Sequence, residues 1–122
     1  MKDKKILIID DDADIRIGLN ARLRAHGFET AFAEDCIGAV STARKENPDL
    51  ILLDIGLPGG DGFLVLQRLR ANTQLACIPV IVITARDPHE NESRAIKEGA
   101  AGFFQKPVDN DELLGCILRE LA

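Results

Sequence analysis

The stretch Lys5-Ile6-Leu7-Ile8-Ile9-Asp10-Asp11-Asp12 passes from unbroken apolar residues to unbroken acid in one step. An apolar run this short, bounded by charge, suits a strand covered by helices on both faces, as in a parallel sheet. Leu50 to Leu53 repeats the pattern and ends on Asp54, Val80 to Ile83 ends on the hydroxyl of Thr84, and Gly102 to Gln105 ends on Lys106 and Pro107. In open α/β sheets, ligands bind in the crevice outside the carboxyl ends of the strands. These four ends therefore offer acids, a hydroxyl and an ammonium group to one small, highly charged site.

Working outward, short β-rich runs alternate with segments of helical period. The strands are predicted at Lys5 to Asp10, Glu29 to Ala33, Leu50 to Asp54, Pro79 to Thr84 and Gly102 to Gln105. Between them, Ile15, Leu19 and Leu23 recur every four residues and stop before Gly27, which suits a helix with a glycine end. A second helix covers Cys36 to Glu46 and must end before Pro48. Asp61 is placed to cap a third, with Val65, Leu66 and Leu69 on its apolar face and Asn72 near its end. Pro88 fits the first turn of a fourth, running to about Glu98 and ending at Gly99. Asp109 caps the last, where Leu113, Leu114, Ile117, Leu118 and Leu121 form one stripe. Pro58 and Gly62 are expected to shape the loop after the third strand.

Five βα units give an α/β fold, a doubly wound (βα)5 sandwich with a parallel sheet. The second and fifth runs are more polar or aromatic and suit edges. With right-handed crossovers the strand order is 2-1-3-4-5, which sets Asp10 and Asp11 beside Asp54 at the switch point.

Composition narrows the function. At 122 residues, with 46% hydrophobic residues, the chain is the size of one domain, residues 1–122, able to bury a core without staples. A formal net charge of −5 argues against a broad phosphate-backbone footprint, and so against direct nucleic-acid binding. No apolar run reaches the length of a membrane span, and MKDKKILIIDDD turns acidic too soon for a signal peptide. The chain reads as cytoplasmic, with no membrane partner. Cys36, Cys77 and Cys116 are widely spaced, with no CxxC pair, and read as reduced, mostly packed thiols. His26 and His89 lie far apart and do not suggest catalysis.

Three carboxylates held together repel. At an effective dielectric near 20, a pair about 4 Å apart costs roughly 4 kcal/mol. The site calls for a cation, and Mg2+ is the natural one, a hard ion held by one or two carboxylates together with waters and phosphate oxygens. Lys106 adds a compact point charge suited to phosphate. Singly, each residue has an ordinary use: Asp10 to Asp12 as a helix cap, Thr84 as a strand residue, Lys106 as a solvated lysine, Phe103 and Phe104 as core. Their conjunction carries the site.

With IIDDD at the first strand end, LLDIGLPGGDG around Asp54, Thr84-Ala85 and Lys106-Pro107, the whole chain resembles a response-regulator receiver domain of the CheY type. That resemblance implies a flavodoxin-like fold and a phosphoacceptor signalling module of a two-component phosphorelay. Asp54 would take a phosphoryl group from a phosphohistidine on a sensor histidine kinase or histidine phosphotransfer protein. Asp11 would bind Mg2+ directly, Asp10 through water and Gly56 by its backbone carbonyl, with Asp54 itself in the metal set; Mn2+ could substitute. Lys106 and Thr84 would each meet a phosphoryl oxygen. Such a protein is not a conventional enzyme, since it catalyses its own phosphorylation and dephosphorylation.

Thr84 and Phe103 would form the switch, with output through the fourth helix, fifth strand and fifth helix. Phe103 has no phenol group, so the signal would come from ring packing. Lys106-Pro107 is expected, on the resemblance, to be a cis peptide. Gly56 and Arg86 flank the path of attacking water, the first leaving it open and the second able to cover it. Gly59 and Gly60 make the loop after Asp54 flexible.

Three other readings compete. A haloacid-dehalogenase-like phosphatase needs a second Asp two residues past the first, where this chain has Gly56. An FMN carrier needs a hydroxyl-rich phosphate loop, and the acidic crevice would repel the cofactor's phosphate. A phosphorylation-independent interaction module of the same fold would have no need of the full set Asp10, Asp11, Asp54, Thr84 and Lys106. The end at Ala122, where the fifth helix closes, fits both a stand-alone regulator and a receiver segment attached to an output domain.

Overall fold

A computed structural model describes residues 3–59 and 61–122 of the chain. Five strands alternate with five helices: β1 (Lys5–Ile9), α1 (Ala13–Ala25), β2 (Glu29–Ala33), α2 (Cys36–Glu46), β3 (Leu50–Leu53), α3 (Gly62–Ala71), β4 (Val80–Thr84), α4 (Pro88–Lys97), β5 (Gly102–Gln105) and α5 (Asn110–Leu121). The sheet is parallel throughout, in the order β2-β1-β3-β4-β5, as the apolar runs predicted.

The three central strands bury both faces because their side chains alternate between two cores. Leu7, Ile9, Ile51, Leu53, Val80 and Val82 face α2, α3 and α4, whose Ala39, Ala43, Leu66, Leu69 and Ala95 join the same cluster. Ile6, Ile8, Leu50, Leu52, Ile81 and Ile83 face α1 and α5, against Leu19, Leu23, Leu113, Cys116 and Ile117. Each fully buried Leu or Ile contributes about 1.5–3 kcal/mol relative to exposure. A register slip of one residue would exchange the two faces of a strand, so the pairing is tightly specified.

Every helix starts on an aspartate: Asp12, Asp35, Asp61, Asp87 and Asp109 each accept a hydrogen bond from a backbone N–H of the first turn. Such caps contribute about 1 kcal/mol each, and the negative charge suits the helix N-terminus.

Several boundaries differ from expectation. β1 and β3 stop one residue earlier than predicted, before Asp10 and Asp54. The Asp10 N–H still bonds Ala33 O at 3.0 Å, but its carbonyl leaves the ladder to accept from Arg16 Nη1 at 2.9 Å. β4 begins at Val80, because Pro79 has no N–H and only accepts, from Ile51 N at 3.0 Å. α4 ends at Lys97, with Glu98 as its cap and Gly99 at φ 106°.

Gly62 is not part of the turn. It is the first residue of α3 and lies on the backbone of Ile55, where an added Cβ would come within 2.3 Å of Ile55 Cα. Of the flexible pair expected after Asp54, Gly59 has φ 83°, a conformation glycine adopts without strain; Gly60 lies outside the described residues. Cys36 and Cys116 are packed, whereas Cys77 is exposed, on the segment that follows α3.

Candidate functional site

The sheet delivers the acids to one place. Ile9 pairs with Leu53, and the next residue's N–H, that of Asp54, bonds Ile9 O at 2.9 Å, so Asp10 and Asp54 leave adjacent strands at the same level. One carboxylate oxygen each from Asp10, Asp11 and Asp54 falls within 4.8 Å of the others. Asp10 and Asp54 are 3% and 8% exposed, while Asp11 is open to solvent.

Each buried carboxylate is oriented by a backbone donor. Asp10 Oδ1 accepts from Asp12 N at 2.9 Å, and Asp54 Oδ1 accepts from Gly56 N at 2.8 Å. The second oxygens face a common cation: Lys106 Nζ donates to Asp10 Oδ2 at 2.9 Å and to Asp54 Oδ2 at 3.1 Å. Lys106 follows β5, and its peptide to Pro107 is cis.

The electrostatics show a deficit of positive charge. Burial pushes the Asp10 carboxyl above the ordinary Asp range; the bonds from Lys106 and Asp12 oppose this only in part, and the charge of Asp54 adds to it. Burial acts to lower the Lys106 ammonium, but its bonds to Asp10 and Asp54 and their charges win, so it is held above the usual Lys range. One ammonium, bonded to two of the three clustered acids, leaves net negative charge. The donor set is entirely carboxylate oxygen, which fits a hard divalent cation such as Mg2+ and not a soft metal.

Thr84 ends β4 and is 1% exposed; its Oγ1 accepts from Arg86 N at 3.3 Å, and its carbonyl accepts from Lys106 N at 2.8 Å. Gly56 lies close under Asp54, where an added Cβ would be 3.3 Å from Asp54 Oδ1 and 3.9 Å from Arg86 Nε. Arg86 thus leans over the position that Gly56 leaves open. Phe103, paired with Val82 in the sheet, is half-buried against the α2, α3 and α4 side of the core, and Phe104 turns to the opposite side.

Arg16 is the residue that sequence reasoning missed. It ties α1 to the site through the Asp10 carbonyl and meets Glu34 at 3.5 Å. Its one legible signal was a cation four residues after the Asp12 cap, a spacing that returns it to the acidic loop on the helix face.

The sequence matches the response regulator receiver domain family over residues 6–118. Among curated proteins, PilH of Pseudomonas aeruginosa is 36% identical, over 97% of this chain and 98% of that protein. The phosphate regulon transcriptional regulatory protein PhoB of Escherichia coli is 37% identical over 93% of this chain, which spans 50% of PhoB's length. Among solved structures, the receiver domain of a sensor histidine kinase from Pseudomonas aeruginosa superposes with a TM-score of 0.88 at 26% identity, covering 98% of each chain. That structure holds a magnesium ion in its active-site cleft.

Proposed function

Because this chain belongs to the response regulator receiver domain family, a signalling module of two-component systems, we propose that Asp54 is its phosphoacceptor. The observation that carries this reading is the grouping of Asp10, Asp11 and Asp54 at the strand ends, with Lys106 bridging Asp10 and Asp54. The donor is a phosphohistidine on a sensor histidine kinase or a histidine phosphotransfer protein.

A carboxylate oxygen of Asp54 attacks phosphorus, the P–N bond breaks, and its electron pair returns to the imidazole, which takes a proton. The aspartyl phosphate forms on Asp54. Phosphoryl transfer needs in-line positioning and compensation of charge on the equatorial oxygens more than it needs acid or base help.

Asp10, Asp11, Asp54 and the carbonyl of Gly56 would hold Mg2+, or Mn2+ in its place, which when bound supplies charge compensation for the phosphoryl oxygens. The Gly56 N–H fixes the rotamer of the nucleophile. Lys106 transfers one of its carboxylate contacts to a phosphoryl oxygen, and the Thr84 hydroxyl donates to another. Phe103, diagonal to Thr84 on the neighbouring strand, repacks with that movement, and α4, β5 and α5 present the result to an output domain or target. Residues 1–122 make one receiver domain, acting in the cytoplasm without contact to nucleic acid.

Incubation with a small phosphodonor and Mg2+, followed by mass spectrometry, tests the assignment. Phosphate is expected on Asp54, absent in EDTA and absent from Asp54→Ala. Labelling that survives the chelator, or sits on another residue, rules the proposal out.

A further inference from the structure

Helix α4 is the most lightly seated of the five. Ala95 is its one fully buried residue, whereas α3 buries Gly62, Phe63, Val65, Leu66 and Leu69. What fastens α4 to α3 is a set of long polar side chains. The Arg94 guanidinium stacks 3.9 Å above the Phe63 ring, a cation–π contact over a buried aromatic. Arg94 Nε also reaches Glu98 Oε1 at 3.3 Å, and Gln67 Nε2 donates to the same oxygen at 3.0 Å. Phe63 and Gln67, four residues apart, share one face of α3; Arg94 and Glu98, likewise four apart, share one face of α4.

This clasp is incomplete in an informative way. Two donors share Glu98 Oε1, while Oε2 is buried with no hydrogen-bond partner among the described residues. A carboxylate oxygen withheld from both water and donors favours any rearrangement that frees it. The α3 end of the clasp is rigidly tied to the phosphorylation loop. Gly62, the neighbour of Phe63, lies in contact with the backbone of Ile55, and Ile55 follows Asp54 directly.

We infer that the Phe63–Arg94–Glu98–Gln67 clasp is the restraint that holds α4 in the position seen here, and that its release accompanies occupation of Asp54. This rests on the reading of Asp54 as phosphoacceptor. Coupling between two sites is reciprocal, so weakening the clasp must strengthen binding of a phosphoryl mimic at Asp54. These are positioning residues, since none of them touches the acids.

Two measurements on Arg94→Leu decide the matter. Hydrogen exchange of the unliganded protein is expected to show the α4 amides exchanging about fivefold faster, with α1 and α5 unchanged. Titration with beryllofluoride and Mg2+ is expected to show binding tighter by about the same factor. Gln67→Leu, which keeps the Arg94 stack on Phe63, should move both readouts the same way by less.

Unchanged α4 exchange, or a uniform rise across all helices, overturns the restraint. Faster α4 exchange with unaltered beryllofluoride affinity overturns its link to Asp54. If the parent protein binds no beryllofluoride at all, the phosphoacceptor reading fails instead, and exchange alone still decides whether the clasp restrains α4.

Discussion

The ammonium of Lys106 stands 2.9 Å from a carboxylate oxygen of Asp10, 96 positions earlier in the chain. It reaches Asp54 with the same nitrogen, so the cation that suits an incoming phosphoryl group is, without one, what holds the acids together. A divalent ion held by these acids would compete with Lys106 for their charge.

Replacing Lys106 by Ala should separate those two roles. Mg2+ affinity, measured by calorimetry, is expected to rise severalfold, because the competing charge is gone. Phosphorylation of Asp54 should meanwhile slow by about a hundredfold, the usual scale for losing one charge-stabilising donor. Weaker Mg2+ binding in the variant would contradict the competition.

The Asp10 carboxyl sets a pH dependence of known sign. Its folded-state value lies above the ordinary 3.8 because burial penalises the charge. Between the two values the folded protein holds the extra proton, so this group makes stability fall as pH rises through that window. Asp10→Asn removes the titration. In denaturant melts without metal, the variant should gain on the parent as pH climbs above 3.8. A stability difference flat in pH would be inconsistent with a raised carboxyl.

Gly62 predicts a purely steric failure. A methyl there meets backbone 2.3 Å away and not a movable side chain, so Gly62→Ala should cost about 3 kcal/mol by denaturant melt, the upper end for overpacking. Gly18, with nothing within 4 Å of an added Cβ, supplies the control. Gly18→Ala in the middle of α1 should be neutral or stabilising by up to about 1 kcal/mol.

Arg86 leans over the gap that Gly56 leaves beside Asp54. If its side chain shields the acyl phosphate from water, Arg86→Ala shortens the lifetime of phosphorylated Asp54 severalfold in a chase without donor. An unchanged lifetime would mean that the guanidinium does not screen the attack path.

Most of the fold was legible because its signals are local and mutually consistent. Apolar runs broken by Asp, Thr or Lys marked the strand ends, and Asp61 and Asp109 announced their helices by capping chemistry that needs only neighbouring N–H groups. Asp10, Asp11 and Asp54 were brought together by strand order. Strand termini were misjudged at Asp10, whose carbonyl is taken by the Arg16 side chain of the following helix, and at Asp54, where β3 already ends at Leu53.

The order of apolar and charged residues along the chain was enough to determine a parallel sheet with acids gathered at its carboxyl edge, because period and capping act over a few residues. Tertiary structure alone decided that Lys106 bridges Asp10 and Asp54, that Gly62 bears on Ile55, and that Arg94 caps Phe63. Those contacts depend on where long side chains end once the backbone is in place. Alternation and capping specify the path of the chain, but not which of several nearby partners a flexible side chain will take.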